Sequence, residues 1–185
     1  TLALVELFGM TGSQNVAPAA GRALGALRAS RRRDGAWGIG PSSVSADVRT
    51  TTFAALAFAS AGLADAAARA DGRPTRLGAT DDDRGALQAL LDDPAAPIDP
   101  AARAYARLVL GASRTDDPWV RRAVDAMAVL EPTPDAVRRD LEGWVHRLRL
   151  VRRRGVKPPS PAWDAALQRA IPALARRDGD VCGAL

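Results

Sequence analysis

Apolar residues recur at helical spacing along almost the whole chain, and no stretch alternates apolar and polar residues with β-branched enrichment. Ala20, Ala23, Leu24 and Leu27 follow an i, i+3, i+4, i+7 pattern, which places them on one buried helix face. Val120, Ala123, Val124 and Met127 make a second stripe, and Val137, Leu141, Trp144, Leu148 and Val151 a third. Tyr105, Leu108 and Ala112 share a side of the segment that starts at Pro100. A last stripe runs through Trp163, Ala166, Leu167, Ala170, Ile171 and Leu174, with Pro172 placed to kink it. Glycines and prolines punctuate these segments, as helix ends require. The expectation is an all-α fold, a helical-hairpin repeat array of about eight helices in four antiparallel pairs.

Two segments are expected to behave distinctively. Residues 48–61 are apolar on nearly every side, as in a helix packed among others. Asp47 is its expected cap and Gly62 its expected stop. Residues 135–154 read as one continuous helix, with His146 on a solvated face opposite Trp144. Residues 71–79 hold Gly72, Pro74 and Gly78 and read as a loose connector.

At 185 residues the chain fits a single domain spanning 1–185, long enough for a core without disulfide or metal staples. Cys182 is the only cysteine, which points to a reducing, cytoplasmic setting. No apolar run approaches the roughly 20 residues of a membrane span, and Glu6 interrupts the apolar start where a secretory signal would lie. The opening Thr1 in place of Met is expected of a chain trimmed or excised from something longer. The net charge of +5 invites an anionic partner, nucleic acid or lipid. Yet the basic residues, all arginine except Lys157, are spread among 21 acidic ones. That spread argues for solvated faces and against a nucleic-acid footprint.

The helix over 18–30 leads into the loop Arg33-Asp34-Gly35-Ala36-Trp37-Gly38, and the chain nearly repeats this at Asp178-Gly179-Asp180-Val181-Cys182-Gly183. Asp178 follows Asp34 by 144 residues, three steps of 48, a period in the range of stacked repeats. The loop's residues suit a structural tie: Asp34 can accept backbone N–H groups, Gly35 allows positive φ, and Trp37 can cover a helix end. Helix, Asp-Gly-x-Trp-Gly loop and Ala/Leu/Thr-rich helix together resemble the terpenoid cyclase and prenyltransferase-β families of α/α toroids. Asp34, Gly35, Trp37 and Gly38 match the repeat signature, with Arg31 in place of its leading Gln. Asp178 and Gly179 match in the second copy, where Val181 and Cys182 fall at the Trp. The resemblance implies a partial α/α toroid in which the motif ties helices together.

It also implies chemistry. Class II terpene cyclases protonate an alkene from an Asp-x-Asp-Asp motif, and Thr80-Asp81-Asp82-Asp83 stands in a similar setting with Thr80 at its first position. By that likeness Asp82 is the general acid, flanked by Asp81 and Asp83, and the substrate is a prenyl diphosphate or polyprenyl chain. Crowded carboxylates do raise one pKa. Acidic residues opening a helix also simply cap it and favour its dipole. Prenyltransferases hold zinc through an Asp-x-Cys pair, and Asp180 and Cys182 have that spacing. His146 lies far upstream of the pair, so no metal site is assigned. The cofactor requirement is unknown from sequence. Eight aromatic residues are thin for a cation-stabilising cavity, and the chain is shorter than a complete toroid of this kind. A partner subunit or a second copy would then complete the ring. The competing expectation is a non-catalytic helical-repeat module that binds a protein or peptide on its surface.

Overall fold

A computed structural model describes residues 1–40, 43–72, 74, 77–112, 116–153 and 156–177, with side chains through residue 170. Among the described residues there are nine helices and no strand. They gather into two compact units, Thr1–Asp99 with Ala106–Ala112, and Pro100–Tyr105 with Ser113–Leu185.

The first unit is built around one long helix. Helices α1 (Leu2–Thr11), α2 (Ala17–Ala29) and α4 (Asp81–Asp92) all pack against α3 (Val48–Ala70). Asp47 caps α3, its carboxylate accepting the Thr50 N–H at 2.7 Å, which satisfies a donor that the first turn leaves open. Thr51, Thr52, Leu56, Phe58 and nearly every alanine between residues 54 and 61 are buried. Small side chains on several faces let three helices approach the same rod. Val5, Leu24, Leu56 and Leu91 are its fully buried anchors, one from each helix.

The helix does not stop at Gly62 as the sequence suggested. It runs 23 residues to Ala70. A mid-helix glycine costs only about 1 kcal/mol relative to alanine, and the burial of Asp65 and Ala68 beyond it holds the extra turns in place. At that length α3 is apolar enough to cross a membrane by composition, although 61% of its apolar window is buried within the protein. Read from sequence alone, this apolar helix is counted only as far as Gly62.

The second unit holds the first half of α5 (Pro100–Val109), then α6 (Pro118–Ala128), α7 (Pro134–Arg139), α8 (Leu141–Arg152) and α9 (Pro161–Arg177). Val120, Met127, Val137, Leu150 and Leu167 form its core. Trp144 and Trp163 meet there with ring centroids 5.8 Å apart. The expected single helix over 135–154 is two. Asp140 leaves helical geometry at φ −138°, ψ 56°, and its carboxylate accepts the Gly143 N–H to cap α8. Arg147 pairs with the same carboxylate at 2.7 Å. His146 is buried at 3% exposure, not solvated, because α8 buries the His146 side as well as the Trp144 side. On α5 the buried set is alanine-rich, Ala101, Ala102, Ala104 and Ala106 with Leu108, and Tyr105 is only half-buried. The helix of α9 continues through Pro172.

Candidate functional sites at the motif loop and the start of α4

The loop after α2 is tied at both ends. Trp37 is buried at 3% exposure and stacks on Phe58 of α3 at 5.7 Å. Its Nε1–H donates at 2.8 Å to the Leu27 carbonyl in the last turn of α2, which also accepts the Ser30 N–H and hydroxyl. Its backbone is clasped by a single hydroxyl: Thr51 Oγ1 accepts the Trp37 N–H at 3.0 Å and donates to the Trp37 carbonyl at 2.9 Å. One residue thus joins α2 to α3 through a ring, an indole N–H and a main-chain clasp.

The residues around Trp37 shape that turn. Asp34 accepts the Ala36 N–H at 3.1 Å and pairs with Arg32 at 2.9 Å. The Arg32 hydrogen bonds, with the Ala36 N–H, hold the Asp34 carboxyl below its ordinary range, although the side chain is half exposed. Gly35 adopts φ 83°, where a side chain would be strained. Gly38 passes so close to Ser43 that a Cβ would overlap it, and would sit 2.8 Å from the Ser45 carbonyl. Asp178, Gly179, Asp180 and Cys182 lie outside the described residues.

The second candidate region opens α4. Thr80 Oγ1 accepts the Asp83 N–H at 3.1 Å, and the Asp83 carboxylate accepts the Thr80 N–H at 3.0 Å. This reciprocal pair is a capping box. Asp83 is also buried at 6% exposure and receives Arg28 from α2 bidentately, Nε at 2.8 Å and Nη2 at 2.5 Å. Arg28 holds its carboxyl down to about 2, so Asp83 is ionised at neutral pH. The raised pKa that a carboxylic acid catalyst needs is not found at this residue. Asp81 and Asp82 are exposed on the first turn.

Beside this turn lies a cleft of about 200 Å³. Phe58, Leu63, Ala66, Leu87 and Val109 give it apolar walls, and Arg69, Asp81, Asp83 and Arg84 stand around it. Arg84 reaches across to donate to the Leu110 carbonyl at 3.2 Å. A shallower hollow of about 270 Å³ lies between Leu2, Leu27 and Phe53, away from the acidic run. The three adjacent aspartates thus differ: Asp83 is buried and paired with Arg28 at the edge of the cleft, Asp81 is exposed on the cleft, and Asp82 is exposed away from it.

Comparison with protein families, with curated proteins and with solved structures finds no match to this chain. The site stands on its own geometry.

Two residues that shape this region differ in how much sequence signal they carried. Arg28 sits among 25 arginines, and nothing in its neighbourhood names Asp83, 55 residues away, as its partner. Asp65 was more legible, as a carboxylate inside an alanine-rich helix. It is fully buried and accepts the Leu77 and Ala79 N–H groups at 3.2 and 3.0 Å. It thereby moors the connector, read as loose, that leads to the acidic turn.

Proposed function

We propose that the chain is a non-catalytic helical module, and that the cleft between α3, α4 and the end of α5 takes one apolar side chain of a partner polypeptide. The carrying observation is the cleft itself: apolar walls, guanidinium groups of Arg69 and Arg84 beside them, and a volume of about 200 Å³. Small-molecule sites usually run from roughly 300 to 1,000 Å³, so a polyprenyl chain is too large for it and a leucine or phenylalanine side chain is not. Of the two aspartates on the cleft, Asp83 is already paired with Arg28, so Arg69 and Arg84 against Asp81 favour a partner with carboxylates flanking that side chain. The aromatic inventory supports the same reading, because Trp37, Trp144 and Trp163 are spent on packing helices.

The test is calorimetric titration with short acidic peptides that carry one central leucine or phenylalanine, and with their alanine counterparts. Binding is expected only for the apolar-centred peptides. It should be lost in Leu63→Glu and Arg84→Glu proteins of unchanged melting temperature, since Leu63 and Arg84 are both exposed. Undiminished binding by Leu63→Glu would remove the cleft from the account.

One observation favours the class II cyclase reading, with its toroid-like array completed by a partner subunit: Asp81 lines an apolar cleft at the start of a helix. In that reading Asp82 or Asp81 donates the proton, because Asp83 is held ionised by Arg28. General acid catalysis is typically worth about a hundredfold or more. Asp82→Asn and Asp81→Asn would each be assayed on prenyl diphosphate and polyprenyl substrates. Turnover by the native protein that collapses in one of them would establish this reading over the binding module.

A further inference from the structure

The cleft calls for an apolar side chain with open carboxylates beside it, and the chain's own surface supplies one. Val129 is 85% exposed at the end of α6. Its backbone keeps right-handed helical geometry, φ −91° and ψ −2°, so Asp125, four residues earlier, lies on the same helix face. Glu131 follows two residues later. Both carboxylates are exposed, and neither has a partner among the described residues. The other strongly exposed aliphatic side chains lack this setting. Val44 and Val48 stand near Asp47, but that carboxylate caps α3. Leu141 adjoins Asp140, which is held by Arg147. Met10 has only the half-buried Glu6 within a turn, and Ile39 has no carboxylate within four residues. The end of α6 is also held still. The Leu130 N–H donates to the Met127 carbonyl at 3.1 Å, and the Leu130 carbonyl accepts the Nε1–H of the buried Trp163 at 2.9 Å.

We infer that the partner of the cleft is a second copy of this chain: Val129 of one copy enters the cleft of the next, with Asp125 against Arg69 and Arg84. This rests on the cleft as a binding site for an apolar side chain and names what fills it. Charge complementarity selects the occupant. Both arginines are exposed beside the cleft, and Arg84 gives the Leu110 carbonyl one N–H of the five that a guanidinium carries. Arg121, two turns back from Val129 on the same face, is the segment's charge of opposite sign, as Asp81 is the cleft's. The two surfaces are different, so the contact is heterologous and propagates head to tail. An apolar residue on a fixed helix end loses little freedom on docking. One side chain and a few charges make a small interface, below roughly 1,200 Å², so the association is weak.

The experiment is sedimentation velocity of the full chain, followed up to about 1 mM. The mean mass is expected to rise with concentration and to fall back as salt rises. Val129→Asp and Leu63→Glu should each stay monomeric and melt like the parent, since both side chains are exposed. Mixed together, the two variants should pair one to one and grow no further, because the first keeps an intact cleft and the second an intact Val129. Val129→Leu adds one methylene to a side chain that underfills the cleft, and should tighten association by about fourfold. A parent chain that stays monomeric while the acidic peptides bind would overturn this inference and leave the cleft standing as a binding site. Self-association that survives Val129→Asp, or a mixture of the two variants that stays monomeric, would overturn it as well. Absence of both peptide binding and self-association would remove the cleft and this partner together.

Discussion

Trp37 acts on two helices of the first unit by three separate means. Its ring packs against Phe58, its Nε1–H donates to the last turn of α2, and its main chain is held by Thr51 on α3. Replacing a buried tryptophan by alanine usually costs about 3 to 5 kcal/mol, against a total stability of about 5 to 15 kcal/mol. Trp37→Ala is expected to bring the chain close to unfolding, seen as a large fall in the thermal midpoint. Its neighbour Asp34 behaves differently. A carboxylate satisfying buried donors would be worth about 1 to 3 kcal/mol, but Asp34 is half exposed and pairs with Arg32 at the surface. Such pairs contribute about 0 to 1 kcal/mol, so Asp34→Ala should lower the midpoint by only a few degrees. A Trp37→Ala protein melting within a degree or two of its parent would show that the loop does not bind α2 to α3.

At the scale of the element, α3 shows burial overruling a local stop signal. Gly62 lies in its interior with open space where a Cβ would stand. Alanine there adds about 0.5 to 1 kcal/mol by helix propensity and by restricting the unfolded chain. Gly62→Ala is therefore expected to raise the melting temperature by about 1 to 4 °C. Because Gly62 also lines the cleft, the added methyl should weaken any ligand held there. A lower midpoint for Gly62→Ala would mean that the backbone at this position is strained in a way that the helix geometry does not indicate. The start of α4 shows the opposite balance. There local capping and a distant ion pair agree, since Thr80 and Arg28 hold the same carboxylate.

For the molecule as a whole, acid is the condition that tests these ties together. The Asp83 carboxyl is depressed to about 2 in the folded chain, against about 3.9 when unfolded. A lowered folded value means that its stabilisation is complete above the unfolded value and disappears as pH falls through the folded one. With Arg28 partly exposed, that contribution is about 2 kcal/mol, lost between about pH 4 and pH 2. Over the same range 21 acidic residues lose charge while 26 arginine and lysine residues keep theirs, so self-repulsion grows as the tie weakens. Far-UV circular dichroism should show helix melting away within this window. Asp83→Asn should be less stable at neutral pH and should lose less on acidification. An acid transition identical in the two proteins would separate Asp83 from the effect.

Fold class and most helix positions were legible because they depend on local quantities. The 3.6-residue stripes of α2, α6 and α9, the Asp47 cap and the prolines opening α5 through α7 can each be read within one or two turns of chain. The shape of the motif loop was legible for the same reason, since Gly35 and Asp34 act on their own turn. What tertiary structure alone decided are the outcomes that depend on distant partners. Whether α3 ends at Gly62 turns on what covers Asp65 and Ala68, and whether His146 faces water turns on what packs around α8. Above all, the acidic run could be read as a catalytic triplet or as a helix cap, and no local rule separates the two. The guanidinium of Arg28, 55 residues upstream, decides for Asp83, because the protonation state of a carboxylate is set by the charges that folding brings to it.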